Sequence, residues 1–288
     1  MHTKILLAAE TGSDITPELA QELGVCLVPM HVSMGDQTLD DGAFPPEDVC
    51  AYYDRTGKVP TTSGSTPYDF ETVLDNVFSE NPEAQVLYLA YSAVTTCSYH
   101  SCELALEDKS YANRVRLVDT KHVSVGQGAV VIAVAQWLQE HPEATLEEAA
   151  EAAQAIGEHT KMCFVPKNLD YLRAGGRVSN AVALVGNLLH LHPCIEIIDG
   201  KLIAGKKYRG AMTKLAPQLL REFTEKHALS KEHLYFINTP YMEEDVRNVL
   251  DVEAEALGYK KITWMKTGCV ITCHGGPGAF GIVGTSEK

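Results

Sequence analysis

A chain of 288 residues, 45% apolar and 22% charged, is long enough for two cores of ordinary size and too apolar to be mainly disordered. Its formal charge of -14 excludes nonspecific binding to nucleic acid or to an anionic membrane, both of which need a basic face. The charge is uneven, however: Lys161 to Lys214 carries nine Lys/Arg against three acids, leaving -20 for the rest, which suggests a local anion or an acidic partner near the middle, although a solvated mixed surface is the commoner cause of such a run.

The opening "KILLAAE" reads as a buried strand, and "TPELAQELG" as a helix with Thr16 as cap, Pro17 in the first turn and Gly24 as stop. The alternation continues with "VCLVPMHVSM" as strand, "PPEDVCAYYDRTG" and "TPYDFETVLDNVFS" as helices, the latter capped by Thr66, and "QVLYLAY" as strand. A helix around "SYHSCELALED", the strand "RVRLVD", the helix "VGQGAVVIAVAQWLQE" and an Ala-rich helix with the capping box Thr145 to Glu148 complete the first half. Strands alternating with helices imply a mainly parallel sheet covered on both faces. The second half restarts with the strand "KMCFVP", the helix "NLDYLRAGG" and a hairpin in "CIEIIDGKLIAG", where Asp199-Gly200 is a type I′ turn signal. It closes with the helix "AMTKLAPQLLREFTEK", the strand "LYFINT", the helix "MEEDVRNVLDVEAEALG" and the strands "KITWMK" and "CVITC". The expected architecture is therefore two α/β domains, residues 1–158 and 159–288, the first built on a mainly parallel sheet flanked by helices and the second mixed. The N-terminus has too short an apolar run for a secretory signal, and no stretch approaches a membrane span, so a cytoplasmic protein without stable membrane insertion is expected. Eight cysteines without a C-x-x-C pair read as reduced core thiols.

Three loops at strand ends concentrate polar groups: "PTTSGST", "YSAVTTCSY" and "CHGGPG". Hydroxyls, helix N-terminal amides and the single imidazole of His274 would together form an uncharged donor cluster suited to a carboxylate or a phosphate. Taken one at a time, each loop is equally a cap or a tight turn. Ser92, Asp119 and His274 also occur in the chain order of an α/β-hydrolase triad, which leaves a small acyl hydrolase as one alternative. Ala90 and Val94, however, stand where the nucleophile elbow needs glycines. "VGQGAVV" has Val131 in place of the third glycine of a dinucleotide fingerprint, so Gly126 and Gly128 are expected to permit close helix packing instead. The histidines are scattered, "HLH" at His190 and His192 reads as helix-end surface, and no metal site or cofactor is expected.

Taken in order, the pieces "AETGSDITPEL", "PTTSGST", "YSAVTTCSY", "LVDTKHVSVGQG", "NLDYLRAGGRVS", "HPCIEIIDGKL", "KKYRG" and "HGGPGAFG" resemble the DegV family of bacterial fatty-acid-binding proteins over nearly the whole chain. The resemblance implies a carrier, not an enzyme, that encloses one long-chain fatty acid between its domains and presents the carboxylate to a separate fatty acid kinase for acyl-phosphate formation. It places the carboxylate at Thr62, Ser63, Ser92, His274 and Gly275, with Ala93, Thr96, Arg177 and Gly276 around them. Arg209, with Lys206 and Lys207 beside it, falls at the position associated with the kinase step. Three stretches depart from the family pattern. The usual "TSQPS" reads "TSGST", "SSGLSGT" reads "SAVTTCS", and the opening "TDS" reads "AET". Ala93 thus removes an expected hydroxyl, which Thr95 or Thr96 would have to replace. A binder of another carboxylated or phosphorylated metabolite is the remaining alternative.

Overall fold

The computed structural model describes residues 4–180 and 191–287. The first half runs β1 (Ile5–Glu10), α1 (Pro17–Leu23), β2 (Val25–Val28), β3 (His31–Met34), β4 (Gln37–Asp40), α2 (Glu47–Thr56), β5 (Thr61–Ser63), α3 (Pro67–Glu80), β6 (Gln85–Ala90), α4 (Ser98–Leu106), β7 (Val115–Asp119), α5 (Ser124–Glu140) and α6 (Leu146–His159). The second runs β8 (Thr160–Val165), α7 (Leu169–Gly175), β9 (Leu191–Ile198), β10 (Lys201–Arg209), α8 (Met212–Lys226), β11 (Leu229–Asn238), α9 (Glu244–Ala256), β12 (Ile262–Lys266), α10 (Cys269–Gly275) and β13 (Phe280–Ser286).

Strands β2-β1-β6-β7 form an all-parallel sheet. Its apolar runs have no polar face because helices cover both sides. Leu7, Leu87 and Leu89 pack with α5 and α6, whereas Leu6, Val86 and Tyr88 pack with α3 and α4. The caps expected from the sequence are formed: Thr16 accepts from the Leu19 amide, and both Thr66 with Asp69 and Thr145 with Glu148 close capping boxes. Helix α5 is buried over most of its length, from Ser124 to Ala135, and touches strands of both large sheets, which explains why it carries no polar stripe. A side chain at Gly128 would meet the Ser13 carbonyl at 2.5 Å, so that glycine serves helix packing as expected.

A six-stranded mixed sheet, β10-β9-β8-β13-β11-β12, builds the second half. Alternation along its strands sorts two faces. Cys163, Val165, Leu234 and Phe236 pack under α8 and α9, while Met162, Phe164, Tyr235 and Ile237 face the other way, toward the first half. The β9–β10 hairpin turns through Asp199 (φ 47°) and Gly200 (φ 78°), both left-handed as a type I′ turn requires.

Three sequence expectations are corrected. "VCLVPMHVSM" is two strands, because Pro29 offers no N–H to a ladder: β2 stays in the parallel sheet and β3 enters a small antiparallel sheet, β4-β3-β5. "CVITC" is the helix α10, a short apolar run whose period does not decide between strand and helix, and the last strand is instead the Gly-rich β13. His192 lies in strand β9, not at a helix end, and His190 lies outside the described residues.

Candidate functional site

Residues of both halves line one cavity, with about 790 Å³ of empty space counted together with the open solvent at its mouth. Most of its wall is apolar, with Met30, Tyr91, Met162, Phe164 and Ile237 among the lining residues. The polar lining includes Thr62 and Ser63 of β5, Thr95 and Thr96 of the loop after β6, and His274 and Gly275 of α10.

Thr62 Oγ1 and His274 Nε2 lie 2.9 Å apart, joined by a hydrogen bond whose direction follows the ring tautomer. His274 Nδ1 has no partner among the described residues and rests against Gly175, where a side chain would sit 2.2 Å from it. Burial, and then the positive charge of Arg177, push the His274 pKa down to about 4, so the ring is neutral at pH 7. Arg177 lines the same cavity with an exposed side chain whose guanidinium donates to the Gly175 carbonyl at 2.7 Å. One neutral imidazole, several hydroxyls and one guanidinium make an anion-receiving wall without a carboxylate on it.

Gly64 accounts for one departure from the family pattern. A side chain there would lie 2.3 Å from Thr96 Oγ1 and 2.7 Å from Ser98 Oγ, so the first loop approaches the second only with glycine. Ser98 Oγ then accepts from the Ser65 amide at 3.0 Å and pairs with Thr96 Oγ1 at 3.1 Å. Thr96 lines the cavity with its hydroxyl paired to Ser98, while Ala93 is not among the lining residues and its amide donates to Asp119 at 3.3 Å.

Two further sequence candidates lie off the cavity wall. The Ser92 hydroxyl is buried and donates to the Gly200 carbonyl at 2.8 Å, tying the β9–β10 turn to the first half. Gly276 ends α10 at φ 69°, with its amide bonded to the Thr272 carbonyl. The triad alternative does not assemble: among the described residues, Ser92 bonds Gly200, Asp119 accepts from the Ala93 and Lys121 amides, and His274 bonds Thr62. Among the described residues no group of His, Cys, Asp and Glu could hold a metal, and no helix is long and apolar enough to cross a membrane. Lys206 is paired with Glu222 at 2.7 Å, whereas Lys207 and Arg209 point to the opposite side of the edge strand β10 and are exposed.

Sequence reasoning missed the two aspartates behind α10. Asp14 Oδ1 accepts from the Gly268 amide at 2.7 Å, and Asp41 Oδ1 from the Cys269 and Val270 amides at 2.8 and 3.3 Å. Two side-chain carboxyl groups of the first half therefore cap the helix that carries His274. Burial pushes the Asp14 carboxyl up to about 8 against its hydrogen bonds to Ser124 and Gly268, and burial likewise raises Asp41. Asp14 follows β1 at the C-terminal end of a parallel strand, a place where ligand sites gather, but "LDDG" around Asp41 reads only as a turn.

The family model described as the DegV family of uncharacterised proteins matches residues 4–287. The chain belongs to the DegV family. A DegV domain-containing protein of Deinococcus radiodurans is 28% identical over 281 residues, covering 96% of this chain and 97% of the relative. Among solved structures, a Thermus thermophilus DegV family protein described by its fatty acid binding superposes with a TM-score of 0.88 at 28% identity, over 99% of this chain and 100% of that one. A Thermotoga maritima protein whose structure is described as revealing a fatty acid binding function gives 0.82 at 25% identity, again over 99% and 100%. The Streptococcus pneumoniae fatty acid kinase B3 protein, loaded with linoleic acid, shares the fold at 18% identity and a TM-score of 0.83, with 99% and 100% covered.

Proposed function

We propose that this DegV protein carries one long-chain fatty acid in its cavity, with the ionised carboxylate at Thr62 and His274 and the acyl chain along the apolar wall. The observation that carries this reading is the Thr62–His274 pair set in a wall that is otherwise mainly apolar. Burying a sixteen-carbon chain contributes on the order of 10 kcal/mol, at about 0.8 kcal/mol per methylene before ordering losses. A buried carboxylate without donors would cost several kcal/mol, and the hydroxyls of Thr62, Ser63 and Thr96, the neutral imidazole and Arg177 supply them. No acid–base pair or nucleophile is needed, because the protein presents the carboxylate to a separate kinase that makes the acyl phosphate. In keeping with two α/β domains at 1–158 and 159–288, the ligand lies where the two meet.

Native mass spectrometry of protein purified from a bacterial host, followed by solvent extraction, tests the carrier reading. A stoichiometric fatty acid is expected; a ligand-free protein that takes up no added fatty acid would overturn it. The exposed Lys207 and Arg209 on β10 support a docking edge for the acidic face of a kinase. Reversing both to glutamate should slow kinase-dependent acyl-phosphate formation and leave lipid affinity unchanged, and equal rates would remove the docking role.

A further inference from the structure

Three glycines stand directly against side chains of the apolar wall. A methyl group at Gly126 would lie 2.7 Å from Met162 Sδ, and one at Gly12 would lie 2.6 Å from Met30 Sδ and 3.2 Å from the Tyr91 ring. At Gly281 it would lie 2.7 Å from Ile237 Cδ1. Comfortable carbon contacts begin near 3.5 Å, so each of these side chains lies back in space that only a missing Cβ leaves open. None of the three glycines has a positive φ, and the requirement is therefore for room rather than for backbone freedom.

Gly281 is further fixed by main chain, since its Cβ would also meet the Cys163 carbonyl at 2.8 Å. At Gly12 and Gly126 the closest atom is the sulfur of a flexible methionine, which can move. Met162 sits on β8 in contact with α5 and also lines the cavity, so a sulfur displaced by a methyl group on α5 reshapes the cavity wall. We propose that Gly12 and Gly126 determine which acyl chains this protein accepts, by setting how far the Met30 and Met162 thioethers retract from the cavity. This rests on the fatty-acid reading and names the residues that give it chain-length selectivity.

The test is titration of saturated fatty acids from twelve to eighteen carbons into the wild type, Gly12→Ala, Gly126→Ala, Met162→Ala and the double variant Gly126→Ala/Met162→Ala, with thermal melts alongside. Each excluded methylene costs about fourfold in affinity, so losing two weakens the longest chains by about fifteenfold relative to the shortest. Gly126→Ala and Gly12→Ala should shift preference to shorter chains. The double variant should restore the longer ones, because no sulfur remains to be pushed. Met162→Ala alone crowds nothing and should extend the preference upward, which keeps the test open even where the methyl against the His122 ring, 3.3 Å away, prevents folding. An unchanged length preference in variants that melt like the wild type, or equal weakening of every chain, overturns the proposal. A wild type that binds none of the series instead overturns the fatty-acid reading, and this proposal with it.

Discussion

At neutral pH the His274 ring carries no charge, because burial first and Arg177 second hold its pKa at about 4, against about 6.5 for a free imidazole. Between those two values the unfolded chain binds the proton and the folded one does not. Stability from this residue is therefore complete above about pH 6.5, falls as pH drops toward 4, and changes no further below that. His122 and His233, both held at about 4 chiefly by burial, act with the same sign. Asp14, raised to about 8, acts with the opposite one, its contribution declining as pH rises from about 4 to 8. An NMR titration of the ligand-free protein should find the His274 ring neutral down to nearly pH 4; a midpoint near 6.5 would mean the ring is solvated. His274→Ala should leave the circular dichroism spectrum unchanged and weaken fatty-acid binding roughly 10- to 150-fold, as expected for removing a hydrogen bond to a charged group. Unchanged affinity would move the carboxylate elsewhere. Among the sequence candidates, Thr62, Ser63 and Thr96 line the cavity, and they were legible because hydroxyl-rich stretches at strand ends are where ligand sites gather. Ser92 could not be read, because its partner is a carbonyl 108 residues further along the chain.

Elements were legible where local chemistry decides them. Thr16, Pro17 and Gly24 start and stop α1, and Asp199-Gly200 turns β9 into β10, because caps and left-handed turns need particular residues at fixed places. Where packing decides, the sequence misled. The run Cys269 to Thr272 is apolar in either conformation, and what favours the helix is a pair of carboxyl groups from Asp14 and Asp41, more than 200 residues away, accepting from its first amides. Strand β4 is exposed throughout and shows no alternation, so nothing in "QTLD" announces it. No strand is expected after "CVITC", yet β13 lies between β8 and β11 inside the six-stranded sheet, where Gly281 fits tightly between Ile237 and the Cys163 carbonyl.

At the scale of the molecule, the two halves share one apolar cluster, which runs from Met30 and Val32 through α5 to Ile237 and Val270 and surrounds the cavity. Two polar ties reinforce it. Ser92 holds the tip of the β9–β10 hairpin, and Asp14 and Asp41 hold α10. The second tie also has a kinetic consequence. The first amides of a helix have no acceptor within it. For Gly268, Cys269 and Val270 the acceptors are side-chain carboxyl oxygens on the other half, so these protons should exchange with solvent when the halves part rather than when α10 unwinds. Hydrogen exchange at these three amides therefore gauges how often the cavity opens. It should slow as fatty acid is added, because a ligand gripped from both sides holds the halves together. Exchange at the rate of a free loop, indifferent to ligand, would show that the halves separate without regard to what lies between them.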